Sequence, residues 1–301
     1  MTAPAAPEIL QPEGAPASPP VRATSLLRLA LRLWRTRVGV GLIALLFLVA
    51  LIGPLVAPHS ASAPVGAPNS LPSGAAPLGT DYLGQDVLSR LLDGGLSILL
   101  TALIATAAGF IGGVIIGLVA AYARNALDDV LMRLMDVILA FPQIMLALVA
   151  VAVIGPQDWV IVVAIALTTA PRAARVARGA AVPVIERDFI ACCEAMGVPR
   201  WLILGGEVLP NTLGPLMVEA SLPMTYSIAV IAALAFLGLS TNPNGPNWGT
   251  MIQQNQLALS VQPWGAAAPI IAIALLTLGT GLIGDGIART AAGIDRARSA
   301  E

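Results

Sequence analysis

Long apolar runs separated by shorter polar segments dominate the chain. Six runs stand out, at residues 38–56, 96–122, 134–154, 159–170, 213–239 and 264–283. About 20 apolar residues can cross a bilayer as a helix, whereas an open strand in lipid would leave backbone groups unpaired. The pattern therefore predicts an all-α polytopic membrane protein with six transmembrane helices.

The fourth run is short, because it ends at Ala170, just before a proline and the first of several arginines. About a dozen apolar residues rarely span a membrane alone. We expect the helix to continue towards Ala181, shielded by neighbours, with its arginines reaching the interface. These arginines would anchor the topology or, alternatively, contact a partner: Arg172, Arg175 and Arg178.

The arginines before the first run, the run itself and the small residues Ala61-Ser62-Ala63 after it together imitate a secretory signal peptide. Three features argue against cleavage: the leader is too long, the run of 19 residues can span, and Pro64 follows the possible cut. We expect an uncleaved first helix. The predicted units are a tail at 1–37, disordered to about residue 24, a first helix at 38–56, a periplasmic loop at 57–95, a core at 96–288 and a tail at 289–301.

Composition and charge placement support the membrane interpretation. Apolar residues make up 57% of the chain and charged residues 11%, mean hydropathy is +0.84, and soluble domains carry about a quarter charged residues. There is no lysine, and with a cytoplasmic N-terminus fifteen of the sixteen arginines lie inside, leaving Arg90 outside. This positive-inside pattern predicts both termini in the cytoplasm and the 57–95 loop outside.

The polar segment at residues 186–210, called the connector below, lies between the fourth and fifth runs. Residues near helical spacing predict one side of a short helix at its start: Ile185, Phe189, Cys192, Cys193 and Met196. Gly197 is placed to end this helix, Pro199 can open a second short helix at Pro199–Glu207, and Leu209-Pro210 returns the chain to the membrane. Such an element could transmit force from a partner or could lie on lipid headgroups.

Candidate chemistry is sparse, which disfavours an integral-membrane enzyme. The adjacent Cys192 and Cys193 cannot easily form an ordinary disulfide, and two thiols alone make no metal site. His59 is the single histidine. We predict no catalytic residue, no metal site and no nucleic-acid binding. Capping and turn roles are expected for the acidic residues of the first long loop, Asp81, Asp86 and Asp93, because their spacing matches no calcium loop.

Two further features concern helix packing. The second run carries glycines at three- and four-residue spacing: Gly109, Gly112, Gly113 and Gly117. This spacing permits close helix approach in lipid, either within the chain or with a partner. Asp136 would be costly in lipid, so we expect it to pair with Arg133 or another basic group.

The connector resembles the coupling loop of ATP-binding-cassette importer permeases. That family's pattern is Glu-Ala-Ala, three residues, Gly, nine residues, Ile, one residue, Leu-Pro. Aligned on Gly197, the Leu-Pro falls on Leu209-Pro210. The chain departs from the pattern with Ala191-Cys192-Cys193 in place of Glu-Ala-Ala and Glu207 in place of Ile.

More narrowly, nearly everything after residue 28 is similar to the second permease of the dipeptide/oligopeptide/nickel transport family. Further segments carry this resemblance in order: Pro77–Leu92, Met132–Pro142, Phe236–Leu239 with Pro246–Met251, and Ile283–Ile287. The resemblance implies a type I importer permease fold. It also implies peptides as the commonest cargo, with nickel, glutathione or another small solute as alternatives.

The resemblance further implies partners. A second permease would complete the path, two ATPases would hold ATP and magnesium, an extracytoplasmic binding protein would deliver substrate, and lipid would surround a chain without its own cofactor. The residues implied for ATPase coupling are Glu186, Asp188, Phe189, Ala191, Cys192, Cys193, Glu194, Ala195, Met196, Gly197, Pro199, Trp201, Leu209 and Pro210. Those implied to face the binding protein are Gly79, Thr80, Asp81, Gly84, Asp86, Asn247, Trp248 and Gly249.

Two other classes compete with the importer. An ion-driven secondary transporter usually carries ionisable groups or broken helices at the midplane, whereas charge is nearly absent from these apolar runs. An accessory scaffold would leave the spacing of the connector unexplained.

Overall fold

The computed structural model describes residues 23–241 and 245–299, with side chains from residue 27 to residue 293 within those ranges. Most of the tail predicted to be disordered lies outside the described residues. The first described helix is α1, Ala23–Ala30. It is followed by α2 (Trp34–Val56), α3 (Val87–Ala123), α4 (Ala126–Leu139), α5 (Gln143–Ile154), α6 (Asp158–Ile185), α7 (Asp188–Ala195), α8 (Arg200–Leu202), a π-helical turn (Ile203–Val208), α9 (Leu209–Ala220), α10 (Pro223–Phe236), α11 (Trp248–Asn255), a 3₁₀ turn (Gln256–Ala258) and α12 (Trp264–Ser299).

Five helical stretches among the described residues are long and apolar enough to cross a membrane, and a bent pair brings the number to six. The pair is α4 and α5, which meet at 86°. The sequence predicted one unbroken helix at 134–154, and that prediction is wrong. Pro142 has no backbone N–H and disfavours a helical conformation in Phe141, so the helix breaks there.

Several other helix boundaries differ from the apolar runs. Helix α3 begins at Val87, not near residue 96, because the Asp86 carboxylate accepts the N–H groups of Leu88 and Ser89 at 3.3 and 3.1 Å. The loop predicted at 57–95 therefore ends nine residues early. Helix α6 continues to Ile185, which confirms the predicted extension of the fourth run.

The pairing of α3 with α6 is the most extensive helix contact in the described chain. Three of the four glycines noted in the second apolar run lie against α6, and a Cβ on Gly113 would stand 2.3 Å from the Ala170 carbonyl oxygen. Gly109 and Gly117 lie as close to α6 backbone or side-chain atoms, whereas a Cβ on Gly112 would meet nothing within 4 Å. The glycines therefore pack within this chain, one of the two alternatives that their spacing allowed.

Charged residues segregate towards two ends of the bundle. One end, called the basic end, carries the connector, the α3–α4 turn and the ion pair of Arg35 with Asp285 at 3.1 Å. The other, called the loop end, carries residues 57–86 and the segment around α11, joined where Arg90 donates to Gln254 at 3.2 Å. This arrangement places the connector and the loop at residues 57–86 at opposite ends of α3.

The glycine contact gives a matched pair of substitutions. We expect Gly113→Ala to lower the free energy of unfolding by about 1–3 kcal/mol, because its Cβ overlaps α6 backbone. Gly112→Ala adds the same methyl group in open space and should be neutral or stabilising by up to about 1 kcal/mol. Thermal unfolding of the purified protein in detergent measures both variants, and equal melting temperatures would contradict the packing described here.

Candidate functional site at the basic end

The connector begins with a short helix that ends at a left-handed glycine. Helix α7 spans Asp188–Ala195, and Gly197 has φ +74°. The Val198 N–H donates to the Cys193 carbonyl at 3.1 Å, and the Gly197 N–H donates to the Glu194 carbonyl at 3.0 Å. These bonds close the helix end as in a Schellman motif, where glycine is favoured because it adopts positive φ without a Cβ clash. The predicted role of Gly197 as a helix terminator is confirmed.

The second half of the connector is not a separate short helix. The predicted helix at Pro199–Glu207 instead starts at Arg200 and continues through the π-helical turn into α9 and α10, forming one candidate span of 37 residues. Within that turn Leu209 donates to the carbonyl of Leu204, five residues back. This wider turn directly precedes Pro210, whose ring would clash with a carbonyl in a regular α-helix. Arg200 is thereby joined to the fifth span by helical turns, with no intervening loop.

The predicted apolar side of α7 is only partly correct. Ile190, which the pattern omitted, is the buried residue at 1% exposure, and Phe189 is partly buried. Cys192 is exposed and Met196 is 73% exposed. The reason is local: α6 ends at Ile185 and a new helix starts at Asp188, so one helical periodicity does not run through both.

The outer surface of the connector is exposed and partly apolar. Trp201 is 71% exposed, and Leu202 and Met196 are exposed nearby in the sequence. Beneath them, Ile190, Ile203 and Val208 join a core formed with α3 and α6. Of the residues predicted for ATPase coupling, the structure partly buries Phe189, Cys193 and Leu209 and exposes the others: Glu186, Asp188, Ala191, Cys192, Glu194, Ala195, Met196, Gly197, Pro199, Trp201 and Pro210.

Polar contacts attach the connector to the end of α3. The Tyr122 hydroxyl donates to the Glu194 carboxylate at 2.5 Å. The Arg200 guanidinium lies 5.9 Å from the centre of the Tyr122 ring. Arg124, in the left-handed conformation at the α3 C-cap, pairs with Glu186 at 3.5 Å. The sequence alone does not single out Tyr122, because its partners lie 72 and 78 residues away along the chain.

Helix α6 carries three arginines that pair with acidic residues on neighbouring helices. Arg178 donates two bonds of 2.6 Å to Asp128, and Arg175 donates to Asp136 at 2.6 Å. Arg172 lies 3.3 Å from Glu219 of α9. The prediction that Asp136 pairs with a basic group is confirmed, with Arg175 as the partner. Because all three arginines are paired within the chain, they tie α6 to α4 and α9.

At the loop end, a buried ion pair organises the first long loop. Arg90 is 1% exposed and pairs with Asp81, and it also donates to Gln85 at 2.8 Å. Asp81 accepts the N–H groups of Leu83 and Gln85, both at 2.8 Å. The capping and turn roles predicted for Asp81 and Asp86 are confirmed. Among the described residues, no group of three His, Cys, Asp or Glu could hold a metal ion.

The residues predicted to face a binding protein are all buried within the chain: Gly79, Thr80, Asp81, Gly84, Asp86, Asn247, Trp248 and Gly249. The Trp248 indole, for example, donates to the Leu91 carbonyl at 2.9 Å. These residues shape the loop end from inside, because their polar groups are satisfied by the chain itself.

A different set of residues forms the outer surface of the loop end. Leu257 is 94% exposed in the 3₁₀ turn after α11. It borders a cavity of about 400 Å³ lined by glutamine amides and neighbouring residues: Tyr82, Gly238, Thr250, Gln253, Gln254, Gln256 and Leu257. The sequence signal that could have found it is a leucine within an uncharged, glutamine-rich loop segment.

The buried ion pair predicts a large effect of removing one partner. Asp81→Ala leaves the Arg90 guanidinium buried without its carboxylate, so we expect a loss of about 3–5 kcal/mol in the free energy of unfolding. Asp93→Ala, a carboxylate outside this cluster, is the control. Replacing both charges by Arg90→Met with Asp81→Leu should recover part of the loss. Thermal unfolding in detergent measures all three, and an Asp81→Ala variant as stable as the control would contradict the role of the pair.

Comparison with known proteins places this geometry in context. Residues 113–291 match the family described as binding-protein-dependent transport system inner membrane component. The chain is 36% identical over 256 residues to the di/tripeptide transport system permease protein DppC of Pseudomonas aeruginosa, covering 82% of this chain and 84% of that protein. It is 36% identical over 219 residues to the glutathione transport system permease protein GsiD of Pectobacterium atrosepticum, covering 73% of each. It is 34% identical over 248 residues to the probable D,D-dipeptide transport system permease protein DdpC of Escherichia coli, covering 82% of this chain and 83% of that protein.

Proposed function

The chain belongs to the family of binding-protein-dependent transport system inner membrane components, and on that premise we propose that it imports short peptides together with a second permease. As a family member it is a multi-pass inner-membrane protein and a permease of an ATP-binding-cassette importer. The second permease would complete the translocation path. Two ATPases would bind the connectors, and an extracytoplasmic binding protein would bind the loop end.

The exposed surface of the connector is the observation that carries this proposal. Trp201 and Met196 present apolar area at the basic end, on an element whose far end is continuous with the fifth span. Helices that lie on anionic lipid are rich in Lys and Arg. Helix α7 instead carries Asp188 and Glu194 and no basic residue. This charge favours a protein partner over headgroups, and an exposed tryptophan is a typical anchor of a protein interface.

Energy would come from the partner subunits. A phosphate-binding loop of the Walker type needs a lysine, and this chain has none. We therefore assign ATP and magnesium to the ATPases and no catalytic step to the permease. The arginines of the basic end support a cytoplasmic connector by the positive-inside rule, on the side of the membrane where ATP is available.

Short peptides are the proposed cargo because the names of three relatives agree on that class. Two are named for dipeptides or tripeptides, and the third for glutathione, which is itself a tripeptide with one γ-linked bond.

The alternative of an ion-driven transporter is disfavoured by the pairing of acidic side chains. Asp128, Asp136 and Glu219 pair with arginines of α6. An ion-driven transporter would need a carboxylate that is free to bind its coupling ion, and these three carboxylates are already paired.

The loop end would receive the binding protein through residues that differ from those predicted. The eight buried residues support the fold from inside, so we assign contact to the exposed turn instead. Leu257 offers apolar area, and the amides of Gln253 and Gln256 border the same cavity. Hydrogen-bonding amides around an apolar residue suit a transient protein contact.

A matched pair of tryptophans tests the docking of the ATPases. Trp201→Ala should weaken binding of the ATPases to the detergent-purified importer by about 2 kcal/mol, and uptake of a labelled dipeptide into proteoliposomes should fall with it. Trp34→Ala is the control, because Trp34 is similarly exposed, at 67%, but lies outside the connector. If Trp201→Ala co-purifies with the ATPases as well as Trp34→Ala, the proposed contact is wrong.

Thiol labelling tests the orientation. Leu257→Cys should react with a membrane-impermeant maleimide in cells whose outer envelope is permeabilised but whose inner membrane is intact, because Leu257 lies at the loop end. In cells that produce the chain without its ATPases, the native Cys192 is exposed at the basic end and should react only after the inner membrane is opened, which provides an internal control. The reverse order of labelling would overturn the assignment of the basic end to the cytoplasm.

A further inference from the structure

Tyr122 contacts both limbs of the connector at once. It is the penultimate residue of α3, and its hydroxyl donates to Glu194 on α7 at 2.5 Å. Its ring faces the guanidinium of Arg200, the first residue of α8, at 5.9 Å. Glu194 and Arg200 lie on opposite sides of the left-handed turn at Gly197. One side chain of α3 therefore contacts the connector before and after its turn.

The other attachments of α7 to the bundle are weaker or less directional. Ile190 is buried and Phe189 partly buried, but apolar contacts permit sliding more readily than a hydrogen bond to a charged acceptor does. The pair of Arg124 with Glu186 is longer, at 3.5 Å, and precedes α7. The bond from Tyr122 to Glu194 is thus the short polar link between α7 and the membrane-spanning helices among the described residues.

Helix α3 is suited to carry a displacement further. It runs for 37 residues to the loop end, and its glycines lie against the α6 backbone. Close-packed helices with small residues at the contact move together, because neither backbone can shift without a clash. A displacement that enters α3 at Tyr122 would therefore reach the α3–α6 pair as a unit.

We propose that Tyr122 is a positioning residue that transmits connector movement to the α3–α6 pair, in parallel with the continuous path from Arg200 into the fifth span. This inference rests on the proposed function, because it requires an ATPase on the connector. It assigns to Tyr122 no contact with substrate or nucleotide. Its loss should uncouple ATP hydrolysis from transport while the ATPases remain bound.

The test uses the assembled importer in proteoliposomes and measures dipeptide taken up per ATP hydrolysed. Tyr122→Phe keeps the ring and removes the hydroxyl, and we expect the ratio to fall about tenfold, as for loss of a hydrogen bond to a charged group. Tyr226→Phe, the same change at an exposed tyrosine of α10, is the matched control. ATPase co-purification should be the same for both variants.

Changes at Glu194 separate this link from a general loss of structure. Glu194→Ala should lower the ratio as Tyr122→Phe does, whereas Glu194→Gln, which keeps an oxygen acceptor, should retain more of it. The double variant Tyr122→Phe with Glu194→Ala should be no worse than either single variant, because both remove one bond. Additive losses, or no rescue by glutamine, would overturn the proposal.

Two outcomes distinguish this inference from the proposed function. If the wild-type chain does not co-purify with ATPases, the proposed function fails before Tyr122 is tested. If the wild-type importer works and Tyr122→Phe keeps the wild-type ratio, or loses its ATPases, Tyr122 is not the positioning residue proposed here.

Discussion

The close approach of α3 to α6 is the contact on which the rest of the structure depends. In lipid, helices gain little from apolar burial, so their association relies on van der Waals contact and hydrogen bonds. The glycines of α3 allow this contact, because a Cβ on Gly113 or Gly117 would stand 2.3 Å from a carbonyl oxygen of α6. Helix α6 is in turn the most enclosed of the long helices. The short apolar run of the fourth span is therefore tolerated, since α3 and its other neighbours cover it.

The same helix pair joins the two ends of the protein. At 1.5 Å per residue, the 37 residues of α3 extend about 55 Å. One end begins at the Asp86 cap beside the buried Arg90 and Asp81, and the other ends at Tyr122 beside the connector. A rigid element fixed by polar contacts at both ends can carry a displacement between them. The bent pair α4–α5, by contrast, is interrupted at Pro142 by an 86° bend and is not one rigid element.

The sequence was most informative where one residue or a local pattern decides the structure. Apolar length located most of the spans, Gly197 indicated its left-handed turn, and the glycine spacing indicated a close helix contact. The sequence was less informative where contacts between distant residues determine the structure. Arg90 donates to Gln254, 164 residues away, and the Gln262 amide donates to the Thr80 carbonyl, 182 residues away. The burial of the loop-end residues depends on these distant partners, so the local sequence could not predict it. The predicted buried side of α7 was partly wrong for a related reason. A break at Arg187 separates two helices, whereas the prediction assumed one helical periodicity through both.

Most departures of the connector from its family's pattern fall on its surface. Ala191, Cys192 and Glu207 are exposed and Cys193 is partly buried, whereas three residues that hold the connector to α3 and α6 are buried and apolar: Ile190, Ile203 and Val208. Gly197 and Leu209-Pro210, which set the backbone path, are retained. Exposed positions contribute little to folding, but they contact whatever binds there. The departures therefore leave the path of the connector intact and change the surface that a partner ATPase would recognise.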